Sequence, residues 1–198
     1  MRMSMKKLAV FCGAHLGNQI AYSEAALRLA RAFVLNNNTL VYGGSKVGLM
    51  GKVADEVLRL GGEVIGVLPK SLLERELAHD NLTKLYIVED MQERKKFLLN
   101  LSDGFIMMPG GVGSLDEFFE VLTLAQLGYH QKPCGIFNVN DYYNELMSFL
   151  KKAVQEGFVK SVHEDMILLD DCIDSLLLKF ENYHPPTVVR WINEVEKS

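Results

Sequence analysis

A chain of 198 residues, 48% of them hydrophobic, is long enough for one domain with a sizeable core. Its formal net charge of -4, with 21 Lys and Arg residues scattered rather than striped, excludes the basic track that a polynucleotide backbone requires. The three cysteines, Cys12, Cys134 and Cys172, stand far apart without C-x-x-C spacing or a histidine cluster, which argues against zinc and for reduced core thiols.

The chain starts basic, over 1–7, and enters an apolar run, 8–12, that Gly13 interrupts. That run is too short for a signal-peptide core or a membrane span, so a cytoplasmic protein without membrane contact is expected. The run reads as a first strand feeding the loop Gly13-Ala-His-Leu-Gly-Asn18. Gly13, Ala14 and Gly17 are small enough for a nucleotide to approach the backbone, although the G-x-G-x-x-G spacing is absent. His15 reads as a polar loop residue. A helix over 20–36 and a strand over 39–42 follow, and Gly43-Gly-Ser-Lys-Val-Gly48 then turns the chain into a helix over 49–60. Gly43 and Gly44 resemble a phosphate cradle but lack the lysine and hydroxyl of G-x-x-x-x-G-K-[ST]; a tight turn that needs glycine explains them equally well.

Strands over 63–68 and 85–88 precede a helix over 91–101, which Asp90 and Glu93 open as a capping box. Met91, Leu98 and Leu101 mark its buried stripe. At about 100° per residue Arg94 falls on that apolar arc, while Glu93, Lys96 and Asn100 face away. Burying an unpaired guanidinium costs several kcal/mol, so Arg94 must meet a carboxylate, a phosphate or cleft water. Lys95 flanks the stripe and could reach the same anion, and a structural salt bridge fits the pattern too.

The strand over 104–108 runs into Met108-Pro-Gly-Gly-Val-Gly-Ser-Leu-Asp-Glu117. Gly110, Gly111 and Gly113 let the backbone present its N–H groups, and a helix beginning near Ser114 adds the positive end of its dipole, which together make an anion site suited to phosphate. Glu117 then stands within a turn of that phosphate. Ser114-x-x-Glu117 also fits a capping box with no function beyond the helix end. The helical pattern over 115–127 is apolar around most of its circumference, leaving Asp116, Glu120 and Thr123 as a narrow polar strip. Such a helix needs cover on two sides, from the sheet and from either a second subunit or the C-terminal helices.

A strand over 135–139, a helix over 142–156, a strand over 166–169 and a helix over 172–180 complete the body, 1–184. Pro185-Pro186 sets off a short tail, 185–198, around Trp191. Strand and helix alternate throughout, without internal repeat or low-complexity linker, and the strands are continuously apolar. The fold class that follows is α/β, a single domain with a doubly wound, mostly parallel sheet, helices on both faces and ligands at the carboxyl ends of the strands.

With these residues in view the chain resembles the LOG family, the cytokinin riboside 5'-monophosphate phosphoribohydrolases, whose members were often mislabelled lysine decarboxylases. The signature P-G-G-x-G-T-x-x-E stands here as Pro109-Gly-Gly-Val-Gly-Ser-Leu-Asp-Glu117, and Glu93-Arg94-Lys95 matches a second family segment. Val10-Phe-Cys-Gly13, Val41-Tyr-Gly-Gly44, Val47-Gly-Leu-Met-Gly51, Gly62-Glu-Val-Ile-Gly66 and Ala125-Gln-Leu-Gly128 follow in family order over nearly the whole chain. The resemblance implies a Rossmann-like homodimer that hydrolyses the N-glycosidic bond of a nucleoside 5'-monophosphate to free base and ribose 5-phosphate, with no metal or organic cofactor. It assigns catalysis to Arg94 and Glu117. Substrate contacts carry over to Glu76, Lys95, the loop Gly110, Gly111, Val112, Gly113, Ser114, Leu115 and Asp116, and Thr123, beside the glycines at Gly13, Gly43 and Gly44.

Two positions depart from the family pattern: its threonine is Ser114, which keeps the hydroxyl, and its serine-rich first loop reads Ala14-His15. The implied substrate is N6-isopentenyl adenosine monophosphate, with plain AMP or another purine monophosphate left open. A carboxylate at Glu117 suits the positive charge that builds on ribose as the bond breaks. A guanidinium stays protonated at ordinary pH, so Arg94 is expected to hold phosphate or orient Glu117, and the proton donor to the base is unassigned. The rival reading is a nucleotide-binding or carrier protein of the same fold without turnover. A lysine decarboxylase would need pyridoxal phosphate on a lysine, and no lysine here has a recognisable setting for it.

Overall fold

The computed structural model describes residues 6–75 and 77–186. Its strands are β1 (Lys7–Phe11), β2 (Thr39–Tyr42), β3 (Val64–Pro69), β4 (Lys84–Val88), β5 (Gly104–Met107), β6 (Cys134–Phe137) and β7 (Ile167–Asp170). The helices are α1 (Ile20–Leu35), α2 (Gly48–Arg59), α3 (Lys70–Leu73), α4 (Met91–Leu101), α5 (Val112–Gln126), α6 (Asn144–Gln155), α7 (Ser161–Glu164) and α8 (Ile173–Glu181), with a 3-10 turn at Val139–Asp141. All strand pairs are parallel, in the order β4-β3-β2-β1-β5-β6-β7.

Residue parity explains why the strands are apolar throughout. Leu8, Val10 and Cys12 point into one core with residues of α1, α2 and α8, while Ala9 and Phe11 point into the opposite core with residues of α4 and α5. Each strand therefore needs apolar side chains on both faces. The sheet is doubly wound, as its sequence pattern indicates.

The strand order reverses at β1, which lies between β2 and β5. Such a switch point parts the loops on either side and opens a crevice at the strands' carboxyl ends. Backbone bonds hold the loops around that crevice: Met108 N–H to the Phe11 carbonyl (2.9 Å), Gly13 N–H to the Pro109 carbonyl (3.0 Å) and Leu49 N–H to the Gly13 carbonyl (3.0 Å). Three glycine-bearing turns, after β1, β2 and β5, thus meet at one place.

Two local expectations change. Met91 is 44% exposed rather than part of a buried stripe, because the first turn of α4 overhangs the crevice; Leu98 is buried as expected. At the N-terminus of α4, Asp90 Oδ1 accepts the Glu93 N–H (2.8 Å), but Glu93 Oε2 accepts the N–H of Glu89 (2.7 Å), one residue earlier than a capping box would place it. The short helices α3 and α7, four residues each, were not anticipated, since one turn carries no helical periodicity.

Candidate active site

The crevice is a cavity of about 430 Å³. One wall is the β5–α5 turn, contributing Pro109, Gly110, Gly111, Gly113, Ser114, Asp116 and Glu117. The β1–α1 loop adds Cys12 to Gly17, α2 adds Leu49 and Met50, α4 adds Met91 and Arg94, and Tyr22 and Tyr142 close one side.

The β5–α5 turn becomes helical earlier than the sequence pattern indicates. Gly111 is the N-cap and makes no side-chain cap bond. Ser114 is thus the third helical residue and Glu117 the sixth, so they do not form the capping box that the spacing also allowed. The first N–H groups of an α-helix have no partner within it, and those of α5 start at the cavity rim under the positive end of a 15-residue helix. Gly111 and Gly113 have ordinary φ angles, and a Cβ on either would meet nothing within 4 Å. Neither turn strain nor packing accounts for these glycines; their missing side chains leave this edge of the cavity open.

Arg94 and Glu117 form the floor. Arg94 Nη2 lies 3.0 Å from Glu117 Oε1, with the side chains 9% and 11% exposed. Arg94 is steered from behind: its Nε donates to the carbonyl of Val67 within β3 (3.2 Å), and its Nη1 lies 3.7 Å from Met91 Sδ. It passes Gly43 so closely that a Cβ there would land on Nη2. The contact between Arg94 and Glu117 is coulombic rather than a directed hydrogen bond, and Oε1 is buried without a hydrogen-bond donor among the described residues. Removing one partner of such a pair costs about 3–5 kcal/mol, because the other charge is left buried. Burial pushes the Glu117 carboxyl above the usual carboxylate range, and the Arg94 charge pulls it part of the way back. The result is a desolvated carboxyl group whose Oε1 has no hydrogen-bond donor among the described residues, fixed beside a glycine turn.

The other predicted residues divide by position. Gly13 lines the cavity; Gly43 contributes through its clearance of Arg94, and Gly44, with φ +74, packs under Val67 and Leu68 of β3. Lys95 bonds Asp116 (3.3 Å) and pairs with Glu120, which hold its ammonium firmly protonated. Val112 points to solvent at 84% exposure, and Leu115 packs against the core. Thr123 lies farther along α5 in a separate cleft with Phe119, Leu122 and His163. Glu76 lies outside the described residues, as do 1–5 and the tail from 187.

The sequence did not single out the apolar side of the cavity. Leu16, Tyr22, Leu49, Met50, Met91 and Tyr142 form it. The available signal was the Asn140-Asp141 turn pair directly after a predicted strand, at the end of the sheet where ligands bind. Among the described residues no three His, Cys, Asp or Glu side chains converge in a way that could hold a metal ion.

Fold and site together define a Rossmann-like α/β protein with a cavity at the switch point of its sheet. A family model described as possible lysine decarboxylase matches residues 50–179. The cytokinin riboside 5'-monophosphate phosphoribohydrolase LOG1 of Arabidopsis thaliana is 44% identical over 180 residues, covering 91% of this chain and 84% of its own length. The probable cytokinin riboside 5'-monophosphate phosphoribohydrolase LOGL2 of Oryza sativa subsp. japonica is also 44% identical, with 91% and 74% covered. The chain belongs to the LOG family.

Solved structures share the fold at lower identity. A molybdenum cofactor binding protein of Rippkaea orientalis superposes with a TM-score of 0.67 at 18% identity, covering 91% of this chain and 98% of that one. The molybdenum cofactor carrier protein of Chlamydomonas reinhardtii gives 0.67 at 14%, covering 90% and 98%. The description as a lysine decarboxylase does not fit the cavity: among the described residues no lysine lines it, so a pyridoxal phosphate Schiff base would have no anchor from them.

Proposed function

We propose that the chain hydrolyses the N-glycosidic bond of a purine nucleoside 5'-monophosphate, N6-modified in the favoured case, releasing the base and ribose 5-phosphate. The observation that carries this reading is the buried Arg94–Glu117 pair beside a glycine turn at the N-terminus of α5, where the first helix N–H groups have no partner within the helix. The 5'-phosphate lies on the Gly111 to Ser114 backbone at the N-terminus of α5. The ribose then lies over Glu117, whose carboxylate stabilises the oxocarbenium-like transition state and takes a proton from the attacking water. Arg94 keeps Glu117 in place, and its charge favours the carboxylate form; as a permanent cation it does not supply the proton to the leaving base. The base extends toward Leu16, Tyr22, Leu49, Met50, Met91 and Tyr142, whose apolar surfaces suit a purine with an alkyl substituent.

In the same reading Glu76, Lys95 and Thr123 complete the substrate contacts. Lys95 acts through Asp116, and Thr123 lies on the exposed side of α5 that a second copy would cover in a homodimer. Leu115, Phe119 and Leu124 are only half-buried on α5, consistent with such a partner.

The test is base release by purified protein from AMP, N6-isopentenyl AMP, GMP, CMP and the matching nucleosides, without added metal. Release from monophosphates and not from nucleosides is expected. Nucleotide binding without release from any substrate would replace this reading with that of a carrier.

A further inference from the structure

The turn after β6 leads into the cavity wall at Tyr142 through an uncommon backbone conformation. Asn140 and Asp141 both take left-handed φ, 51° and 57°, in a 3-10 turn. Asn and Asp tolerate that region better than most residues, but two in succession persist only where the surroundings impose them. Those surroundings are visible. Asn140 Nδ2 donates to Gln19 Oε1 in the β1–α1 loop (2.8 Å), and Asn138 Oδ1 accepts the Tyr143 N–H (2.8 Å). The chain is thereby bent so that two consecutive tyrosines both reach the β5–α5 turn. The Tyr143 hydroxyl donates to the Met108 carbonyl (2.9 Å), and the Tyr142 hydroxyl donates to the Gly110 carbonyl (2.8 Å). Edge-to-face contacts with Tyr22 (5.7 Å) and Tyr143 (4.8 Å) hold the Tyr142 ring.

The Gly110 carbonyl and the Gly111 N–H belong to one trans peptide and point in opposite directions. A bond to the carbonyl therefore sets the direction of the N–H. Glycines at 110 and 111 leave this peptide free to rotate unless something outside the turn holds it. We infer that Tyr142 is a positioning residue for the anion turn: its hydroxyl locks the Gly110–Gly111 peptide so that the Gly111 N–H is already aimed when a phosphate monoester arrives. The inference rests on the proposed function in one respect, that the turn holds the substrate's 5'-phosphate.

Tyr142→Phe removes the hydroxyl and keeps the ring against Tyr22. Affinity for ribose 5-phosphate, measured by calorimetry, is expected to fall about fivefold, the equivalent of one hydrogen bond. Affinity for ribose should be unchanged, KM for N6-isopentenyl AMP should rise by a similar factor, and kcat should stay within about twofold. Wild-type ribose 5-phosphate affinity in Tyr142→Phe would overturn the inference, as would a loss confined to kcat. If Tyr142→Phe does not fold, Asn140→Ala loosens the same turn while leaving the hydroxyl in place, and an unchanged ribose 5-phosphate affinity there overturns the inference equally. A wild-type protein that binds no ribose 5-phosphate removes the proposed function, and this inference with it.

Discussion

The turns after β2 and β5 look alike in sequence, each a strand running through closely spaced glycines into a helix, yet Gly43 and Gly48 in the first serve a purpose opposite to that of Gly111 and Gly113 in the second. At Gly43 a side chain would strike the Arg94 guanidinium, and at Gly48 it would strike the Ala14 backbone. Those glycines let other parts of the protein approach. At Gly111 and Gly113 a side chain would meet nothing. Those glycines keep a space free of protein, and a space kept free at the N-terminus of a helix is what an anionic ligand fills. A glycine-rich turn indicates packing where a Cβ would collide, and a ligand where a Cβ would be unopposed at an ordinary φ, unlike Gly61, Gly128 and Gly157, whose positive φ at helix ends is reason enough for glycine.

Substitutions can break this contrast, beginning with the largest effect. Gly43→Ala is expected to push Arg94 off Glu117, lowering kcat for monophosphate hydrolysis on the order of 100-fold and lowering Tm by several degrees in a thermal melt. A wild-type kcat in that variant would mean that Arg94 does not need its present position. Gly111→Ala should cost only what alanine costs at a helix N-cap, about 1 kcal/mol or a few degrees of Tm, and raise KM about tenfold, because the new methyl enters the ligand's space and touches no protein; unchanged kinetics would show that the space is not used. The smallest effect is in pH. Burial raises the Glu117 carboxyl, and the working form is the carboxylate, so activity should rise with pH through a limb lying above the ordinary carboxylate range. Arg94→Met removes the charge that opposes burial and should move that limb higher still in a pH profile of residual kcat.

Much of this arrangement is legible in the sequence, and the rest is hidden for identifiable reasons. All seven strands and the six long helices follow from apolar runs and helical spacing, because both sheet faces must be covered. Arg94 stood out as a charge on an apolar arc, and its distant partner, Glu117, was reachable because a glycine turn beside a carboxylate has few uses. The clearance at Gly43 was not legible, since it depends on a side chain from α4 crossing behind β2. Tyr22 and Tyr142 were missed for the same reason: they meet only when the loops after β1 and β6 lie side by side at the end of the sheet. Ser114 and Glu117 looked like a helix cap because the spacing is right; α5 starting at Val112 rather than at Ser114 takes them out of the cap.

In the proposed reaction Glu117 performs the chemistry on a nucleotide that the β5–α5 turn holds. The most direct measurement pairs N6-isopentenyl AMP affinity with base release in Glu117→Gln, whose amide keeps the shape of the side chain and an oxygen toward Arg94. Affinity within a few-fold of wild type with hydrolysis lowered at least about 1000-fold is the predicted result. Base release at the wild-type rate in that variant would contradict the account.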